Sequence, residues 1–340
     1  MLFFCSIQSY GKRIPFSNIQ GNKIKEIFIL TQNILRSHFL MLKQAVLIIV
    51  HKNTYVLEKN LQLLDSPYID IFIHVDKKCS DFKYNFYKSL VKYSTIIYVK
   101  PRLSVYWASF SQVKVELLLL EAASKYSQYS YFHLISGQDL LMKPVSDLIS
   151  YFDKSDKLFI EFRKLSNSNK WDKKVYQRVS VKHILIDYVR DKHVVVQYLA
   201  RFLNKVYAQL QETIGIDLVR KNHIILRYGS QWFSLPYDSV KYILDKKDEI
   251  YHNYCRSWLV DEIFIQSTIA TSSLFVKRLA DTNKRKMRWN KNSAHPYVWR
   301  ISDFDKLVTT SAFFARKFDE RIDKNIINKI YNYISLEMKK

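Results

Sequence analysis

Glycine and proline are scarce: five and six residues in a chain of 340. With 48% apolar residues beside so few chain breakers, the polymer is neither collagen-like nor disordered low-complexity, and it is long enough to bury a sizeable core. Cysteine is scarcer still. Cys5, Cys79 and Cys255 are odd in number, far apart and without CxxC spacing; they suggest neither a disulfide framework nor a zinc site and fit a reducing cytosol. No apolar run reaches the roughly 18 to 20 residues that a membrane-crossing helix needs. GxGxxG, the P-loop and GxSxG are all missing, and His51, His74, His133, His183 and His295 never fall at metal-ligand spacing. Negative charge is in the minority, with 31 Asp and Glu against 54 Lys and Arg, a formal net charge of +23.

Such an excess of cations asks for an anionic partner: nucleic acid, an acidic membrane surface or a phosphorylated substrate. The basic residues run from end to end and alternate with Tyr and Phe, which describes a generally basic surface better than a dedicated nucleic-acid arm. A non-catalytic nucleic-acid-binding or membrane-surface protein is the alternative to an enzyme on this composition alone.

Residues 1–40 make a poor signal peptide, because Met1 to Ser6 is too short an apolar core and no small-residue cleavage site follows. They are expected to be an upstream extension or a loosely attached helix, with Met41 as the working start, ahead of a single domain over 41–325 and a C-terminal helix or tail over 326–340. From Gln44 the pattern changes. A continuous apolar run at 44–51 predicts a strand buried on both faces, 70–76 repeats the buried-strand pattern, 95–99 and 131–135 predict a third and a fourth strand, and helices are predicted over 54–64, 82–93 and 113–123. Alternation of this kind is an α/β fold with a mostly parallel sheet and right-handed crossovers. Ligands of open α/β sheets bind beyond the carboxyl ends of the strands, so His51, Asp76 and Ser136 to Asp139 are expected to line one crevice. Farther on, the sequence predicts helix at 193–213, a strand, a glycine turn and a second strand over 224–235, helix at 237–250, and a helix opening at Asp261.

Four stretches carry candidate chemistry. Thr310 to Asp319 sets Arg316 and Lys317 among Phe313, Phe314 and Phe318, so at least one cation is drawn against a packed core and requires an anion. Arg300 and Lys317 could converge on a diphosphate, or they could be a basic helix end in water. Asp139, after Ser-Gly-Gln, is an acceptor-binding carboxylate or, as the commoner chemistry, a turn residue. Glu262 in Asp261-Glu262 is a general base at a helix start or a plain N-terminal charge preference. Asp303-Phe-Asp305 satisfies a D-x-D metal pattern, but its context favours a helix cap.

In order and spacing, these stretches resemble the core-2/I-branching β-1,6-N-acetylglucosaminyltransferases and peptide O-xylosyltransferases, glycosyltransferase family 14. The resemblance rests on His74-Val-Asp-Lys-Lys78, Trp107-Ala-Ser109, His133-Leu-Ile-Ser-Gly-Gln-Asp139, Gly229-Ser-Gln-Trp-Phe-Ser234, Asp261-Glu-Ile-Phe-Ile-Gln266, Trp289, His295-Pro296 and Phe314-Ala-Arg-Lys-Phe-Asp319, over roughly residues 43–320. It implies a GT-A-like nucleotide-sugar-binding fold and inverting transfer of GlcNAc or xylose from a UDP-sugar without a metal ion or other cofactor. It implies Glu262 as general base, Lys317 with Arg300 on the diphosphate, and Asp76 beside His51 at the nucleotide. Asp139, Glu161, Trp232 and Trp289 are then the acceptor or sugar positions. The cysteines and N-terminal anchor of the animal enzymes are missing. Both departures point to a bacterial-type cytoplasmic enzyme, peripheral at the inner membrane face, acting on a glycan or lipid-linked saccharide rather than on nucleic acid.

Overall fold

Gln44–Val50 forms β1, whose side chains divide between two cores: Val46, Ile48 and Val50 face one, Ala45 and Leu47 the other. A strand without a polar face needs cover on both sides, and the chain supplies helices for each. On one side lie the helix Tyr55–Leu64 and the C-terminal helix Lys324–Glu337. The second of these, expected as a helix or tail, sinks Ile326, Ile327, Ile330 and Ile334 into the core. The long helix Ser111–Tyr126 covers the other side through Val113, Leu117 and Leu120.

The structure, a computed structural model, describes residues 42–166, 169–290 and 295–339. The expected N-terminal extension and the start at Met41 lie outside them, and the described residues fall in one unit that begins at Leu42.

The fold is mixed α/β with a mostly parallel central sheet flanked by helices. Ile69–Val75 (β2), Thr95–Tyr98 (β3), Tyr131–Ser136 (β4) and Ser234–Pro236 (β8) join β1 in the order β3-β2-β1-β4-β8, and only β8 runs antiparallel to its neighbour. The chain leaves β1 towards β2 and β3, then returns to the opposite side for β4. The order therefore reverses between β1 and β4, and their carboxyl ends diverge into a crevice. Three short strands make a second sheet, in which Phe314–Ala315 (β10) lies between Leu140–Leu141 (β5) and Arg285–Lys286 (β9).

Some expectations shift. The helix predicted over 82–93 spans only Tyr84–Lys88, because Phe82, Tyr84, Tyr87 and Tyr98 form an aromatic cluster that holds the segment instead. The strands on either side of the Gly229 turn do not pair with each other: Arg227–Tyr228 (β7) pairs with Arg163–Lys164 (β6), and β8 joins the main sheet. The helix expected to open at Asp261 begins at Phe264, leaving Asp261 and Glu262 in a preceding single turn of 3₁₀ helix.

Candidate active site

Two turns meet above the carboxyl ends of β1 and β4. The first follows β4: Asp139 Oδ2 accepts the Ser136 amide at 2.6 Å, and the Gly137 amide donates to Ile49 O of β1 at 3.1 Å. Thr54 locks this turn to the next helix, donating from Oγ1 to Gly137 O at 2.8 Å while capping the Leu57 amide at 3.0 Å. The second turn follows β10 and carries Arg316 and Lys317. It is stitched to the first by Phe318 N to Gln138 O at 3.0 Å and braced from below by Trp299 Nε1 to Arg316 O at 2.8 Å.

The anion demanded by the aromatic-flanked cations is Asp139. Arg316 Nε lies 3.4 Å from Asp139 Oδ1, with the guanidinium stacked 3.9 Å from the centre of the Trp232 ring. Burial outweighs the attraction, raising the carboxyl and lowering the guanidinium pKa. Asp139 thus has the contacts of the turn-residue alternative together with a buried ion pair. Lys317 is left to face outward, partly exposed, its pKa lowered by burial and then by Arg316.

Gly229 to Trp232 links this cationic turn to the carboxylates. Trp232 sits under Arg316, whereas the Gly229 amide donates to Glu262 O at 2.9 Å and the Ser230 amide to Glu161 Oε2 at 3.0 Å. Only glycine fits at 229, because a Cβ there would stand 1.9 Å from Glu161 O. Glu262 presents its side chain 36% exposed, with Oε2 held at 2.8 Å by the buried Arg178 Nη1. Glu161 pairs with Arg163 as well.

Behind Glu262 lie two buried carboxyls, Asp261 beside it in the chain and Glu116, which no motif announced. Asp261 Oδ2 takes a hydrogen bond from Gln112 Nε2 at 3.1 Å, and Glu116 Oε1 takes one from Gln231 Nε2 at 2.8 Å. Their other oxygens have no partner among the described residues. Burial and Glu262 raise the Asp261 pKa to about 7, and burial and Asp261 lift Glu116 well above the carboxylate range. A carboxyl whose folded pKa exceeds its unfolded value stabilises in its protonated form. Its contribution is complete below about pH 4 and is lost as pH rises through the folded value. The melting temperature of Asp261→Asn minus that of wild type should therefore climb by several degrees between about pH 5 and pH 8. Scanning calorimetry reads this directly, and a flat difference would exclude a protonated Asp261.

Two cavities flank the assembly. One of about 370 Å³ is lined by His51, Asp76, Lys78, Trp107, Asp187 and Arg190, among others. Asp76 accepts the Lys78 amide at 2.9 Å, and the Arg190 guanidinium stacks 3.5 Å from the Trp107 ring. The pKa of His51 is lowered by burial, then by Lys52 and Lys317, and that of His295 by burial, then by Arg190 and Lys317, so the charge of Lys317 reaches a residue that lines this cavity. The second cavity, of about 460 Å³, is lined by Trp171, Arg178, His183, Lys205, Trp258 and Leu259, among others. Trp107 and Trp258 meet edge to face at 6.1 Å, and the Leu259 amide donates to Ala108 O at 2.9 Å, so a thin aromatic wall separates the two.

The structure brings His51 and Asp76 into one cavity, near Lys317, and places Glu161, Trp232 and Glu262 along one short segment. Arg300 is exposed, its amide capped by Asp303 at 3.2 Å, and its neighbour Trp299 donates its amide to Lys317 O at 3.0 Å, so the two segments run side by side. Trp289 is 54% exposed, bridges to Pro296 and lines neither cavity. Asp303 is a cap, as its context indicated, and also accepts the Tyr297 hydroxyl at 2.9 Å. Among the described residues no group of three or more His, Cys, Asp or Glu could hold a metal ion. Sequence reasoning missed Arg178 and Arg190, which lie in a basic stretch with no local pattern to mark them. Trp107 was visible only through the resemblance.

A family model described as Core-2/I-Branching enzyme matches residues 45–310. Among solved structures, mouse xyloside xylosyltransferase 1 in its apo form is similar at 9% identity and a TM-score of 0.36, covering 80% of this chain and 96% of that one. The glycosyltransferase GlyE of Streptococcus pneumoniae TIGR4 is similar at 11% identity and a TM-score of 0.23, covering 49% and 44%. No curated protein matches.

Proposed function

The chain belongs to the Core-2/I-branching enzyme family and is a glycosyltransferase, and from that premise we propose an inverting, metal-independent transfer of GlcNAc or xylose from a UDP-sugar to a hydroxyl of a glycan acceptor, in a β-1,6 branching reaction if the sugar is GlcNAc. One observation carries the proposal. Glu262 and the Arg316–Lys317 turn hang from the same four-residue segment, Gly229 to Trp232, at the crevice where the strand order reverses.

The uridine is assigned to the cavity of His51, Asp76 and Trp107, which is aromatic on one wall and carboxylate-bearing on another. The diphosphate lies at its mouth under Lys317. Arg300 is the family position for a second cation, and Arg190 is a candidate that the structure adds. As the bond between sugar and phosphate breaks, its electron pair passes to the departing UDP. Fixed cations stabilise that charge without having to reorganise. On the opposite face of the sugar, Glu262 takes the proton of the acceptor hydroxyl as its oxygen forms the new bond, and a single displacement of this kind inverts the anomeric carbon. Glu161, Trp232, Asp139 and Trp289 are the acceptor and sugar candidates. Of these, Asp139 would act through Arg316, because its carboxylate is buried.

The test is a panel of nucleotide sugars in a thermal-shift assay, followed by radiolabel transfer in EDTA. UDP-GlcNAc or UDP-xylose should raise the melting temperature in proportion to the logarithm of its concentration above Kd, and transfer should persist with EDTA. Turnover abolished by EDTA and restored by Mn²⁺ would overturn the metal-free mechanism. A tight shift by polynucleotide that free UDP fails to compete away would overturn the nucleotide-sugar reading itself.

A further inference from the structure

The helix Val194–Thr213 is inside out. A surface helix ordinarily turns its apolar stripe to the core and its polar face to water. Here the residues against the protein are Ala200, Asn204 and Gln211, all buried. Their contacts are polar: Asn204 Oδ1 accepts the Ile184 amide at 2.9 Å, and the Gln211 side chain both accepts from and donates to the Lys182 backbone, at 2.9 and 2.8 Å. On the outer side, Val195, Leu199, Phe202, Val206 and Leu210 are 79%, 52%, 53%, 36% and 59% exposed. At about 100° per residue these five fall within an arc of about 80°. Tyr198 beside the stripe and Ile214 beyond its end extend the patch. An exposed apolar face this continuous marks a surface that something covers.

The charge around it selects the occupant. Between Lys170 and Lys221 there are eleven Lys and Arg against five Asp and Glu, in a chain of net charge +23. Lys205 stands on the helix beside the stripe and Arg201 farther round the same flank, both exposed, and exposed Lys192 precedes the helix. An apolar face with a basic border matches the boundary between the acyl chains and the headgroups of an anionic bilayer. A second copy of the chain would instead bring these cations against their own equivalents. No described helix is long and apolar enough to cross a membrane, so the geometry is that of a helix lying in the surface.

We propose that the helix Val194–Thr213 docks this protein on anionic lipid, with Val195, Leu199, Phe202, Val206 and Leu210 immersed. The same helix contributes Asn204, Lys205 and Gln209 to the wall of the cavity that also contains Arg178, the partner of Glu262. Docking therefore holds that cavity at the lipid surface. On the glycosyltransferase reading, on which this last step alone rests, the acceptor is a saccharide carried by a lipid.

The experiment is vesicle co-sedimentation of the full chain. It compares phosphatidylcholine alone with equal parts phosphatidylcholine and phosphatidylglycerol, for wild type and for the double variant Leu199→Ser, Phe202→Ser, with light scattering and thermal melting alongside. Both side chains are exposed, so the variant should melt with the wild type. Wild type should pellet with the anionic vesicles and much less with the neutral ones, and the variant should bind the anionic vesicles at least about ten-fold more weakly. Equal binding by the two proteins would overturn the proposal, as would absence of wild-type binding. A wild-type dimer that the variant dissolves, without vesicle binding, would assign the face to a second copy instead. Transfer to a soluble acceptor by the variant at the wild-type rate separates failure of docking from failure of the enzyme reading.

Discussion

Glu262→Gln is expected to lower kcat by about 10² to 10⁴-fold, the range spanned by a positioned general base, with UDP affinity unchanged. Glutamine preserves the shape, and its oxygen still accepts from Arg178, but it cannot take up the acceptor proton. Arg178 loses its counter-charge while only 9% of its side chain is exposed, so a cost of about 1–3 kcal/mol is expected in the same variant. The stacking of Arg178 against Trp171, at 5.3 Å, limits that cost. Stopped assays give kcat, calorimetry gives UDP affinity, and a melting curve shows that the protein remains folded at the assay temperature. A folded variant that turns over within about three-fold of wild type would remove Glu262 from the chemistry.

Lys317→Met should reduce kcat by about 10² to 10³-fold, the scale of losing one fixed group that faces developing charge. It should also make the protein more stable. Burial and Arg316 lower the Lys317 pKa, so the charged form is disfavoured by the fold. A cation whose folded pKa lies below its unfolded value destabilises while it is charged, and the penalty fades as pH rises through the folded pKa. Methionine keeps the stem and removes the penalty. At neutral pH the variant should therefore melt higher than wild type, and the difference should shrink towards alkaline pH. Loss of rate with a gain in stability is the pattern of a site strained for function. A variant that melts lower, or that keeps its rate, would show that Lys317 is a structural ion and not a ligand for the leaving group.

The strands were legible in the sequence because a parallel strand covered on both faces is mostly apolar: Val46, Leu47, Ile48, Ile49 and Val50 follow without a break, and Ile69–Val75 is interrupted only by Asp70 and His74, both buried with hydrogen-bond partners. That at least one of Arg316 and Lys317 needs an anion was legible because of the phenylalanines around them, but which of the two was not. Asp139 was not legible as the partner of Arg316. The two are 177 positions apart, and their approach depends on β5 and β10 pairing first. Arg178 and Glu262, 84 residues apart, present the same difficulty. The inverted helix at 194–213 was predicted as a helix, since periodicity is local, but period alone does not say which stripe meets the protein.

Local order and composition determined the alternation of strand and helix, the crevice beyond the strand ends and the preference for an anionic ligand, because each depends on neighbours within a few residues or on the total charge. Tertiary structure alone decided which cation is paired with a carboxylate and which is not, which carboxyl is exposed and which is buried with a raised pKa, and which face of a helix is left to the surroundings. Those outcomes depend on distances between residues that meet only after the sheet has closed, and on the loss of water that accompanies that closure.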